Sequence, residues 1–346
     1  MHKNTSAYVL LAAFCIAYGC QKSEIPPCGK IPLPCTSILE LIPITDTCFE
    51  PLPTDPWGFL PVYPGQSDFY QYPSFDPNFF GQFLFCYDAT NGSYAVKGAN
   101  FCTGEIWTIH DSIGFSRSWP RLPKWSEKGW ILLVRWIDAG TPFPSERGLY
   151  KIKPNGDSLT FLLNSNVVTH PIWVDNGNSI LANLNGTEYN SFILNSDGTL
   201  LDTLPVLLTH SSSYESKIAA RRLLPGQVDI VVFQNEEITW SYPYTEGFQN
   251  FRGLDWLNEE ELVWINDNGI YRANTTTSQI DLVKEVCPNI QYSSISAARD
   301  GSNRLLLTRR DYLFENGITD SMSVRYNISM YDLDTGEEFY VKLGEM

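Results

Sequence analysis

Pro123-Lys124-Trp125-Ser126-Glu127-Lys128-Gly129, followed by the apolar run Ile131-Leu132-Leu133-Val134, is the stretch on which the fold turns. A tryptophan, a small polar residue and a glycine turn lead into a strand too short for a helix and apolar on both faces. The same grammar returns along the chain. It is seen in Pro73-Ser74-Phe75-Asp76-Pro77 with Phe83-Leu84-Phe85, and in Pro171-Ile172-Trp173-Val174-Asp175-Asn176-Gly177 with Ser179-Ile180-Leu181. Three further units follow. They are Ile218-Ala219-Ala220 with Val228 to Phe233, Leu254-Asp255-Trp256 with Leu262-Val263-Trp264-Ile265, and Ile295-Ser296-Ala297 with Leu305-Leu306-Leu307.

Each unit is answered by strands across turns that tolerate positive φ, as at Pro154-Asn155-Gly156, Asp197-Gly198 and Asp334-Thr335-Gly336. Phe75, Trp125 and Trp173 stand 50 and 48 residues apart, and Trp256 stands 41 from Ala297. That period belongs to four-stranded propeller blades. Residues 67–346 divided among six units allow about 47 residues each. The expected fold class is therefore all-β, a six-bladed β-propeller, with 47 aromatic side chains among 346 residues favouring strands.

Upstream, ten of the 22 prolines fall between Pro26 and Pro64, so residues 20–66 read as an extended Pro- and Cys-rich tether. Its later part, Phe49 to Tyr63, is apolar enough to pack on the folded domain. Residues 1–19 read as a secretion leader, with Lys3 ahead of the apolar run Ala7 to Ile16. That run is too short to span a bilayer.

Gly19-Cys20 resembles the lipobox of bacterial lipoproteins, with Ala17 and Tyr18 departing from its usual residues. The resemblance implies acylation of Cys20, anchoring to a membrane through lipid and, with Gln21 rather than aspartate next, the outer membrane, facing either the periplasm or the cell surface. The phrases Trp125-Ser126-Glu127-Lys128-Gly129 and Leu149-Tyr150-Lys151-Ile152 resemble the repeat of TolB-type six-bladed propellers over about four-fifths of the chain. What transfers from that resemblance is the fold, not a function.

A net charge of -15 excludes partners held through a phosphate backbone, so no nucleic acid is expected. There is no Gly-x-Ser-x-Gly elbow, and Gly114-Phe115-Ser116-Arg117-Ser118 lacks the second glycine. Because the chain stops at Met346 after a strand at Phe339 to Leu343, an added hydrolase domain is not expected. His110, His170 and His210 lack metal-ligand spacing, and the turns at Asn266-Asp267-Asn268-Gly269 and Asp332 to Gly336 lack the glutamate of a calcium loop. The carboxylates at Glu236-Glu237 and Glu259-Glu260-Glu261 read as solvated turns, and no cofactor is expected.

Beside the acylated Cys20, six cysteines remain in the mature chain, and an extracytoplasmic address permits disulfides. Cys86 and Cys102 are expected to bridge the base of a loop, while Cys28, Cys35, Cys48 and Cys287 could form two more bridges of undetermined connectivity, one of them pinning the tether. The connections Tyr87 to Phe101, Ile137 to Gly148 and Asp311 to Arg325 read as long loops from neighbouring blades. They predict a raised lip carrying Tyr87, Tyr94, Trp136, Phe143, Arg147, Tyr312, Phe314 and Arg325, residues suited to partners and sugars.

The functional expectation is a non-catalytic module that binds or scaffolds an envelope protein or glycan. Two alternatives stand beside it: a lyase, lactonase or cyclase with its site in the central funnel, or a structural subunit of an envelope complex. Should shortening the lip loops leave partner capture intact, the binding site is expected in the central funnel near Arg121 and His170.

Overall fold

A computed structural model describes residues 39–45, 69–78, 81–88, 94–111, 118–137, 148–164, 168–184, 190–235, 237–244, 251–314 and 322–343. They form six antiparallel sheets arranged as a six-bladed β-propeller, with no helix among the described residues. Blade two shows the pattern: inner strand Ser118–Trp125, then Ile131–Ile137, Gly148–Ile152 and outer strand Thr160–Asn164. The middle strands are covered by neighbouring blades on both faces, which is why Ile131, Leu132, Leu133 and Val134 are all buried without alternation. The outer strands meet solvent and leave Leu200, Leu201 and Phe161 exposed.

The apolar core is divided among the six blade interfaces. One cluster joins Leu84 and Val96 of blade one to Ile131 and Leu133 of blade two. Another joins Phe83, Phe85 and Phe101 of blade one to Leu306, Ile328 and Met330 of blade six, closing the ring. Two polar bonds reinforce the closure, from Tyr72 N–H to Thr308 Oγ1 at 2.8 Å and from Phe75 N–H to Ser296 Oγ at 3.0 Å. The tryptophans of the repeat also join blades: Trp173 Nε1–H donates to the Lys124 carbonyl at 3.2 Å and Trp256 Nε1–H to that of Ser212 at 3.3 Å.

The turn glycines serve tertiary packing as well as φ. A Cβ on Gly156 would come within 2.8 Å of the Ile109 carbonyl oxygen in blade one, and one on Gly198 within 2.4 Å of that of Leu162 in blade two. These hairpin ends therefore lie against the preceding blade.

Blade six has a fifth strand drawn from the segment that reads as tether. Leu41–Pro43 pairs antiparallel with Glu338–Val341, with Ile42 opposite Tyr340, and Leu39 packs into the closing cluster. Phe49 to Tyr63 lies outside the described residues, as does the leader with Cys20.

Three sequence expectations are corrected. In the fourth unit the inner strand is Leu207–Tyr214, so Ser213, three residues beyond the bulge residue His210, stands where Phe75, Trp125 and Trp173 stand in the first three, and Ala219 lies one strand later in Lys217–Leu224. The run Thr209-His210-Ser211-Ser212-Ser213 hides that strand because it is polar. In the first blade, Tyr94–Asn100 is a strand rather than loop, leaving only residues 89–93 as the connection. In the sixth, Arg304–Phe314 and Met322–Asp332 pair as far as Phe314 opposite Met322, so most of Asp311 to Arg325 is ladder.

The first-blade correction removes the Cys86–Cys102 bridge. Gln82 faces Asn100 and Cys86 faces Val96, which puts four strand residues, about 13 Å, between Cys86 and the turn holding Cys102. A disulfide tolerates about 7 Å between Cα atoms. Cys86 is instead a buried thiol in the cluster between blades one and two, whereas Cys102 and Cys287 are disulfide-bonded elsewhere.

Candidate functional site

Every inner strand breaks register with its neighbour once, at Gln71/Ser74, Arg121/Lys124, Thr169/Ile172, Thr209/Ser212, Phe251/Gly253 and Tyr292/Ser294. In blades one to four the bulge places Tyr72, Leu122, His170 and His210 in left-handed backbone, with φ between 48° and 55°. A bulge re-aims a side chain and tightens the local twist. A non-glycine residue held at positive φ costs about 1–3 kcal/mol. The four turn the inner strands around the axis, and their side chains line the wall of a central funnel.

The funnel encloses about 610 Å³ and is lined by all six inner strands. Tyr72, Leu122, Phe251 and Ile295 give it apolar walls, while Arg221, Arg252, Arg310, His170 and His210 supply polar groups. Lys124 sits at its inner end and also borders a second, small cavity with Asp76, Asp255 and Arg299 toward the opposite face.

The imidazoles of His170 and His210 lie in contact with ring centroids 4.1 Å apart and planes tilted by 38°, and His210 meets Phe251 edge-on at 5.5 Å. Burial, with Arg221 and Lys124 adding repulsion, lowers His170 to about 4. Burial, His170, Arg221 and Arg252 hold His210 well below the ordinary imidazole range. Both rings are neutral at pH 7, acting as hydrogen-bonding groups rather than charges.

The arginines are held differently. Arg221 Nε–H donates to Thr209 Oγ1 at 2.9 Å, and its guanidinium lies 5.5 Å from the Phe251 ring centroid; burial lowers its pKa to about 10. Arg252 forks onto Asp267 at 2.9 and 3.3 Å. Among the described residues the partners of Arg310 are neutral: the Gln291 amide oxygen at 3.2 Å, the Tyr312 hydroxyl and the Tyr326 ring at 4.8 Å. Buried Arg310 Nε, His170 Nδ1, His210 Nδ1, Ser211 Oγ and Ser293 Oγ have no hydrogen-bond partner among the described residues.

At the narrow end Asp255 ties three blades together. It accepts from Ser212 Oγ–H, from Ala297 N–H at 2.9 Å and from Arg299 at 3.2 Å. Burial works to raise its pKa, but Arg299, Lys124 and these donors overcome it and hold the carboxyl below the usual range.

Of the eight lip residues, the structure describes the side chains of three, Tyr87, Tyr94 and Tyr312. Tyr312 is 7% exposed, and Tyr87 is half-buried against Tyr70, with Lys97 Nζ 4.2 Å from its ring centroid. Tyr94 is half-buried in a strand. Phe143 and Arg147 lie outside the described residues, as do the side chains of Trp136, Phe314, Arg325 and Arg121. His170 is in the funnel as expected; His110 lies in the outer strand Ile106–Asp111. Sequence reading missed His210, Arg221, Arg252 and Arg310. The signal that could have found the first is the repeat of a residue before the inner-strand segment: Tyr72-Pro73, Leu122-Pro123, His170-Pro171 and His210-Ser211.

No family model matches the chain and no curated protein matches it, so the TolB-type resemblance extends no further than the fold. Among solved structures, the chain is similar to one of a nidogen/laminin complex, at 10% identity and TM-score 0.49 over 79% of this chain and 92% of the other. It is also similar to the β-propeller domain of the Trilobed protease from Pyrococcus furiosus, at 8% identity and TM-score 0.49 over 80% and 98%. A third likeness is to oligogalacturonate lyase from Vibrio parahaemolyticus, at 13% identity and TM-score 0.44 over 77% and 78%. Likenesses this distant carry no function.

Proposed function

We propose that the protein is a non-catalytic binding module, tethered outside the cytoplasm through acylated Cys20, that receives an envelope protein segment or a glycan in its central funnel. The observation that carries this reading is the convergence of buried polar atoms without partners on one apolar-walled cavity. A binding role rather than catalysis is supported by the lining. Among the described residues no Asp or Glu borders the main cavity, so it presents no pair of carboxylates for acid–base work.

The test is a plug. Ser293→Trp fills the funnel, whereas shortening residues 138–147 alters the connection that follows Ile131–Ile137. Capture of glycans on an array, or of protein from detergent-solubilised envelope, should be lost in Ser293→Trp and survive the shortened connection. The reverse result would return the site to the lip.

A further inference from the structure

The whole chain carries a net charge of -15, yet the described lining of its funnel contains three arginines and a lysine and no carboxylate. A surplus of acid elsewhere makes this local inversion informative, because a recess with low-dielectric walls concentrates the field of the charges that line it. Arg252 is answered by Asp267. Arg310 has no carboxylate partner among the described residues, and its buried Nε has no acceptor. A recessed guanidinium in that condition fits a ligand that brings the anion with it.

From these observations, and resting on the funnel as the binding site, we infer that the ligand is a small organic oxyanion whose carboxylate or phosphate group is taken by Arg310. A volume of about 610 Å³ is far larger than an inorganic ion and lies within the range of small-molecule sites, roughly 300–1,000 Å³. The remainder of the ligand therefore has walls to meet: Tyr72 and Phe251 offer ring faces or edges, and Ile295 an aliphatic side. His170, His210 and Ser293, whose buried atoms lack partners, supply hydrogen bonds to hydroxyl or amide groups on that body.

The experiment is calorimetric titration of the purified mature domain, at low ionic strength, with citrate for carboxylates, inorganic pyrophosphate for phosphates and sucrose as an uncharged control. At least one anion should bind while sucrose does not, with affinity falling as salt is raised. Arg310→Gln should weaken binding about tenfold or more, and Arg310→Lys should restore part of it, since a charge returns without the fork. Ser293→Trp should abolish it. Failure of both anions to bind, or binding indifferent to Arg310→Gln and to the plug alike, would overturn the inference. The two readings fail separately. Capture of an uncharged glycan that the plug abolishes, without anion binding, keeps the funnel and removes the oxyanion; anion binding lost in Arg310→Gln and with the plug, while envelope capture is untouched by the plug, keeps the oxyanion in the funnel and moves the envelope partner elsewhere.

Discussion

His170 and His210 belong to adjacent blades and are 40 residues apart in sequence, yet their rings touch in the funnel wall with centroids 4.1 Å apart and planes tilted by 38°. The fold holds both neutral, His170 with a pKa near 4 against 6.5 for the free side chain. An unfolded chain takes up protons near 6.5 that the folded one refuses until about 4, so stability is full above 6.5 and falls as the pH drops through that window. Between pH 7 and 5 the loss should be about 2 kcal/mol, allowing for partial exposure to the funnel. Urea denaturation at the two pH values measures it. The variant His170→Asn/His210→Asn should flatten the dependence, because asparagine accepts positive φ without titrating.

Asp255 is the acid on which blades four, five and six converge. Asp255→Ala takes the carboxylate from Arg299, which keeps Ser212 Oγ, and leaves the buried Ala297 N–H without its acceptor, and should cost about 3 kcal/mol in chemical denaturation. Asp255→Asn keeps one oxygen and should cost less. Equal, small losses in both would show that the cluster adds nothing to the fold.

Leu39 is 6% exposed and packs with Phe339, Val341 and Leu343 where the N-terminal strand closes blade six. Leu39→Ala should destabilise by about 2–4 kcal/mol through the cavity it opens. Removal of residues 1–45 should go further, exposing the edge of Glu338–Val341 and promoting association that light scattering would detect. If the truncated chain melts like the parent and stays monomeric, the fifth strand is dispensable.

The cysteines make a mapping prediction. Successive turns of an antiparallel blade alternate between the two faces of the ring, which places Cys102, between third and fourth strands, and Cys287, between one blade and the next, on opposite faces. Non-reducing peptide maps of exported protein should link each to a different cysteine of the N-terminal segment, with Cys86 alkylated only after unfolding. A Cys86–Cys102 peptide would contradict the register of blade one. In the same material Cys20→Ala should abolish detergent partitioning, and unchanged fractionation would end the lipoprotein reading.

The propeller was legible in the sequence because its blades are local objects. Ile131 to Val134, the glycine turns and the recurring tryptophans each state their conformation within a few residues, and a repeat multiplies the signal. Strands failed to show where they were polar, as in Leu207–Tyr214, or where small residues carried them, as in Tyr94–Asn100. The funnel was not legible at all beyond His170. Its arginines come from different strands, Arg221 and Arg310 being second-strand residues of blades four and six, and neither stands in a motif. What joins them is closure of the ring, in which Tyr72 meets Thr308 across 236 residues of chain. Side-chain period and turn chemistry act over a few residues and so can be read along the chain; a cavity is a relation among inner strands, and only their circular arrangement brings its charges together.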